Sequence, residues 1–234
     1  MLTKLWADWV FDAGLLVENK ENSSSPVLSV VPVVQSFMQQ QDRVGEELRK
    51  QIHSSCCEYI LARACRSDDP TFPKNSKALA AEDTNIQSIL FGSPPSQLIV
   101  PSDRTIEALV AFSWHRCNTK PTLGIVNHAV TAANASGVER YIASAVWCLG
   151  HTYAQLGDHH SCYDHLQEAY RLFNGLPLGD VESQRLGGRC GIDLVNTGRM
   201  VLCGDDKIVS LAREIERTCA ALSDNVIMHA VWCS

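Results

Sequence analysis

Histidine and cysteine crowd together at His159-His160, Cys162 and His165. At helical spacing His159 and Cys162 share a face, as do Cys162 and His165, and such a set has the chemistry to hold Zn2+. The same stretch also begins a helix of a repeat. There Cys162 takes an inner position and the histidines face solvent or a neighbouring helix, which is the reading adopted. Trp114-His115-Arg116-Cys117 sets a thiol beside an imidazole. Neighbours on a helix point about 100° apart, so the two do not form a nucleophile–base dyad by themselves. Gly187-Gly188-Arg189-Cys190-Gly191 is glycine-rich but lies in a helical pattern. Close helix packing accounts for it better than phosphate binding. The chain has no Gly-x-Ser-x-Gly, no His-Glu-x-x-His and no dinucleotide fingerprint. No catalytic residue, metal ligand or cofactor is expected, and the chain is not read as an enzyme.

Composition narrows the classes further. The 234 residues carry a net charge of −6 and no cluster of Lys or Arg, so a nucleic-acid surface is not expected. No run of about 18 apolar residues exists to span a membrane, and the first residues interrupt the apolar stretch that a secretory leader needs. The expected location is cytoplasmic. Ten cysteines lack the paired Cys-x-x-Cys spacing of a zinc site. Cys148, Cys190 and Cys219 fall within apolar helical patterns, where a reduced thiol acts as a small hydrophobe.

The elements that must carry these residues fall into three zones, 1–42, 43–102 and 103–234. In the first, Leu5, Trp6, Trp9, Val10, Ala13 and Leu16 recur at helical spacing, predicting a helix over 3–14. Leu15 to Glu18 and Pro26 to Val30 read as two strands of a hairpin around a polar tip, and a second helix is expected from Pro32 to Gln41. This order suits the end of a winged-helix domain or an irregular cap on the helices that follow. In the second zone a helix is predicted over 42–66, with Val44, Leu48, Ile52, Cys56, Tyr59, Ile60 and Ala64 on one face. After a break with two prolines a second helix is predicted over 76–91, with Leu79, Ala80, Thr84, Ile86, Ile89 and Leu90 inward. The third zone predicts helices at 103–116, 121–135, 138–156, 159–174, 180–202, 206–222 and from 225 onward. Each break between them contains Gly, Pro, Asn or Asp, the residues that stop and cap helices.

This third zone repeats. Ala145-Val146-Trp147-Cys148 returns as Ala230-Val231-Trp232-Cys233, an offset of two periods of roughly 40–45 residues, in the range of helical solenoids. Residues 143–177 resemble the tetratricopeptide repeat, through Leu149, Gly150 and Tyr153 in a first helix, Gly157 at the turn, and Leu166 and Ala169 in a second, with Val146 and Cys162 as further core positions of the repeat. Gly150 and Ala169 are small where two helices cross, and Tyr153 and Leu166 fill the space beside them. Cys162 stands where that family usually has Ala, and Asn174 where it has Pro. Ala129 and Ala212 repeat the place of Ala169, and Gly191 and Gly198 those of Gly150 and Gly157. About three units are counted, with a fourth interrupted after Cys233. Its unpartnered apolar end is expected to fray or self-associate. Trp147 and Trp232 are candidate partner-binding anchors, packing against the preceding repeat being the plainer alternative.

A wider resemblance joins the zones. Ala80-Ala81-Glu82-Asp83-Thr84-Asn85-Ile86-Gln87-Ser88-Ile89-Leu90 is similar to the helix that opens the helical region of fungal and bacterial STAND proteins, and Ser29 to Phe37 resembles the edge of their winged helix. In that family a NACHT or NB-ARC nucleotide-binding domain precedes these parts. No Gly-x-x-x-x-Gly-Lys-Ser/Thr loop is present here, so the family's ATPase activity is not carried over. The fold expected is mainly α, a solenoid of TPR-like helix pairs with a small winged-helix-like α/β remnant. The function expected is that of a non-catalytic scaffold binding a protein or peptide. The alternatives are a sensor arm of a STAND ATPase and, less favoured, a thiol or zinc enzyme.

Overall fold

A computed structural model describes residues 16–19, 27–30, 46–65, 67, 69–91, 101–177, 179–202 and 206–221. The chain divides into two compact units, 1–52 and 53–234. In the first, strands β1 (Leu16–Asn19) and β2 (Val27–Val30) pair antiparallel, with Leu16 opposite Val30 and Asn19 opposite Val27. The hairpin stands where the two apolar runs predicted it. The helices expected over 3–14 and 32–41, and with them the winged-helix reading, lie outside the described residues.

The rest of the described chain is helical: α1 (Glu46–Leu61), α2 (Phe72–Ala81), α3 (Asp83–Phe91), α4 (Asp103–Thr119), α5 (Leu123–Ser136), α6 (Glu139–Gln155), α7 (His159–Gly175), α8 (Val181–Val201) and α9 (Asp206–Ala221). Expectations for the second zone need correction. The single helix over 76–91 is two helices broken at Glu82, and the first begins at Phe72. Pro73 lies in the first turn of α2, where a missing backbone N–H has no intrahelical partner to lose. With the break, Ala80 and Thr84 are exposed, while Leu79, Ile86 and Leu90 are buried. On α1, Ile52 is 42% exposed rather than on the inner face.

Local chemistry sets the helix ends. Asp158 and Asp180 each accept a hydrogen bond from the backbone N–H three residues on, Ser161 at 3.0 Å and Ser183 at 3.1 Å, capping α7 and α8. Ser102 caps α4 in the same way through the N–H of Thr105. Helix α6 ends in a Schellman turn. Gly157 takes φ +85°, its N–H donates to the Ala154 carbonyl, and the Asp158 N–H donates to that of Tyr153. Only glycine enters that left-handed region without a Cβ penalty.

Each helix from α4 to α9 packs on the next in the chain, and α4 packs on α6 and α6 on α8. Contact between alternate helices is how stacked helix pairs bury a continuous core. Small residues at helix crossings hold the later helices close. A Cβ added at Gly150 would lie 3.1 Å from Leu166, one at Gly187 3.0 Å from Phe173, and one at Gly191 2.7 Å from Ile215. Gly191 thus plays on α8 the part that Gly150 plays on α6. Gly198 does not follow Gly157: it lies inside α8, where an added Cβ would meet Ile208 and Tyr163. Helix α8 is longer than α6 and passes through the position at which α6 has already turned. Residues 53–91 share one apolar cluster with α4 to α6, Ile60, Leu79 and Ile86 packing with Ile106, Leu109 and Phe112. Packing is therefore continuous across residue 102. Trp232 and the helix predicted from 225 lie outside the described residues.

Candidate functional site

Helices α4, α6 and α8 bring Trp114, Trp147, His151 and Asp193 together, all four half-buried. Trp147 and His151 are one helical turn apart, so their side chains leave α6 on the same side. Trp114 meets both. Its ring centroid is 5.0 Å from that of Trp147 in an edge-to-face arrangement and 4.9 Å from the imidazole of His151. From α8, Asp193 Oδ2 accepts a hydrogen bond from Trp147 Nε1 at 2.9 Å and lies 2.7 Å from His151 Nε2. Trp147 rests in turn on the buried Phe173 of α7, ring centroids 6.1 Å apart. The cluster ties three alternate helices together and leaves partial exposure, with 30% of the His151 side chain and 29% of the Asp193 side chain accessible.

Trp147 is therefore packed and hydrogen-bonded, with only part of its ring in reach of a partner. The sequence marked Trp147 but not His151, Asp193 or Trp114 as companions. His151 was legible as the residue one turn on. Asp193, 42 residues further, needed the stacking of α6 on α8.

Of the repeat residues, Val146, Leu149, Cys162, Leu166 and Ala169 are buried. Gly150 faces Leu166, and Gly157 forms the turn. Tyr153 is half-buried and stacks on His165 at 5.2 Å.

Burial disfavours the charged forms of several thiols and imidazoles among the described residues. Cys57 Sγ lies 3.7 Å from His53 Nδ1, one turn earlier on α1, the only thiol–imidazole contact among the described residues. Burial pushes the thiol up and the imidazole down from their ordinary values, so neither partner favours its charged form. Burial also raises Cys56 to about 11, with the charges of Cys57 and Glu82 adding to it. It holds Cys148 and Cys190 well above the ordinary thiol range. These are poor nucleophiles, because the thiolate is the reactive form. The crowded set at 159–165 does not converge. Cys162 faces Thr197 at 3.6 Å in the interior, and His165 stacks on Tyr153. Among the described residues no group of three or more His, Cys, Asp or Glu is placed to hold a metal. No described helix is long and apolar enough to cross a membrane.

The Arg116–Asp83 ion pair is also partly buried. Arg116 Nη1 reaches both carboxylate oxygens of Asp83 at 2.8 Å, joining α4 to α3, while its buried Nε has no hydrogen-bond partner. No family model matches this chain, and no curated protein matches it.

Proposed function

We propose that the stacked helices are a non-catalytic scaffold that binds a peptide or partner segment where α4, α6 and α8 adjoin. The observation that carries this reading is the half-exposed group of Trp114, Trp147, His151 and Asp193 at the meeting of alternate helices. Indole rings fixed by packing give large contact area at small entropic cost, and such rings dominate binding energy at protein interfaces. Stacked helix pairs offer a partner an extended surface along the array. The neutral, buried thiols support a binding role over a thiol-dependent reaction.

The TPR-like identity of the pairs is part of the same proposal. It draws on the small residues Gly150 and Gly191 at equivalent crossings, and on Gly157 in the turn. A second reading, the sensor arm of a STAND ATPase, draws on the β1–β2 hairpin and on the sequence of α3.

Selection of random 12-residue peptides displayed on phage, against the intact chain, tests the scaffold. Enriched peptides are expected to bind the wild type and to weaken by about tenfold on Trp114→Ala or His151→Ala, at unchanged helix content. If nothing enriches, or if every enriched peptide ignores both substitutions, the proposed surface is wrong.

A further inference from the structure

Among the described residues no lysine or arginine is in ion-pair contact with the Asp193 carboxylate. Oδ2 takes both Trp147 Nε1 and His151 Nε2. Among the described residues His151 is its one ion-pair partner, and a histidine is a cation only when protonated. The charge also acts on the interior. Burial chiefly raises the thiols of Cys162 and Cys190, and the negative Asp193 adds to both shifts. The Asp193 side chain is nevertheless 29% exposed and lies at the Nε1 edge of Trp147, whose ring Trp114 meets from α4.

A half-buried carboxylate beside aromatic rings favours one kind of visitor. The ring quadrupole attracts cations to the indole face, and a carboxylate at the edge adds a charged hydrogen-bond acceptor. Two donors already fix the orientation of the carboxylate, so little side-chain freedom is lost when a third arrives. The chain as a whole, at net charge −6, attracts a basic partner at long range. An acidic or neutral segment would leave the Asp193 charge uncompensated while removing water from it, which is costly.

Resting on the scaffold reading above, we propose that the partner is a basic peptide that places a lysine or arginine side chain on Asp193, against the rings of Trp114 and Trp147. The cation hydrogen-bonds the carboxylate, and its aliphatic stem covers the indoles.

The peptides recovered by phage selection provide the test. The expected result is a lysine or arginine at a fixed position in the enriched sequences. Replacing it by norleucine, which keeps the stem and removes the charge, should weaken binding to the wild type about tenfold or more. Asp193→Asn, which keeps the shape and removes the carboxylate charge, should weaken the unaltered peptide by a similar factor. It should leave the norleucine peptide unaffected. Should Asp193→Asn fold poorly by circular dichroism, His151→Lys serves instead. Its own ammonium would occupy the carboxylate and displace the peptide's cation, with the same loss expected. Enriched peptides that weaken on Trp114→Ala or His151→Ala yet carry no fixed basic residue would overturn the cation proposal and leave the scaffold standing. Basic peptides that bind Asp193→Asn and His151→Lys as tightly as the wild type would do the same. No enrichment at all overturns both.

Discussion

Gly191→Ala probes the crossing of α8 with α7 and α9. An alanine Cβ there would lie 2.7 Å and 2.8 Å from two atoms of the Ile215 side chain and 2.9 Å from the Tyr170 ring. Ordinary carbon–carbon contact is about 3.5–4.0 Å, so each neighbour would have to retreat by more than half an ångström. Neither has room, since Ile215 is 0% exposed and Tyr170 7%, and both belong to the same packed cluster. Overpacking of this kind costs about 2–3 kcal/mol. Alanine returns about 1 kcal/mol of helix propensity over glycine. The net expectation is a loss of about 1–2 kcal/mol, or roughly 2–8 °C in Tm for a chain of this size. Gly124→Ala is the matched control. It sits at the exposed start of α5 with nothing within 4 Å of its added Cβ, and it should gain up to about 1 kcal/mol. Urea unfolding followed by circular dichroism measures both, provided the slope m is unchanged. A Gly191→Ala protein as stable as the wild type, or more stable, would show that the three helices do not meet as closely as described.

Other perturbations test other parts of the argument. Asp83→Asn leaves the guanidinium of Arg116 partly buried without its counter-charge, and should cost about 2–3 kcal/mol in the same assay, with the loss reduced in Asp83→Asn/Arg116→Met. Burial lowers His53, His115, His128 and His165 below the ordinary 6.5, so the unfolded chain takes up protons first and stability should fall as pH drops below about 6.5. At the other end burial raises Cys56 from 9.0 to about 11, so the unfolded chain loses its proton first and stability should fall between those values. Unfolding free energies across pH 5 to 11 should therefore peak between the two arms, and a flat profile would contradict the burial of these groups. Iodoacetamide at pH 8 should label the half-buried Cys65 of the native protein well before the buried Cys148 and Cys190, with peptide mass spectrometry as the readout. Equal labelling rates would show that α6 and α8 open readily.

The helices of the array were legible from sequence because their punctuation is local. Asp158 and Asp180 cap through their own next turn, and Gly157 turns the chain whatever lies beyond it. The hairpin was legible for the same reason, two apolar runs around a polar tip. The early start of α2 is hidden in the sequence because Pro73 looks like a break yet sits in a first turn that tolerates it, and the end of α2 at Glu82 carries no Gly or Pro to mark it. Gly198 was misplaced because a repeat in sequence fixes spacing but not the length of each helix. Of the candidate site, Trp147 was marked by its recurrence as Trp232.

The sequence by itself determined that this protein is built of successive short helices with small residues at regular places, since propensity, capping and periodicity act over a few residues. It also marked Cys148 and Cys190 as inward, because they lie on apolar helix faces, while the side chain of Cys219 lies outside the described residues and the buried Cys57 and Cys117 carried no such mark. Only the tertiary structure decided that Asp193 would meet Trp147 and His151, and that Arg116 would find Asp83. Those partners are 42 to 46 and 33 residues apart. Their meeting depends on which helices stack and how far each turns about its axis, and packing sets both across the whole core.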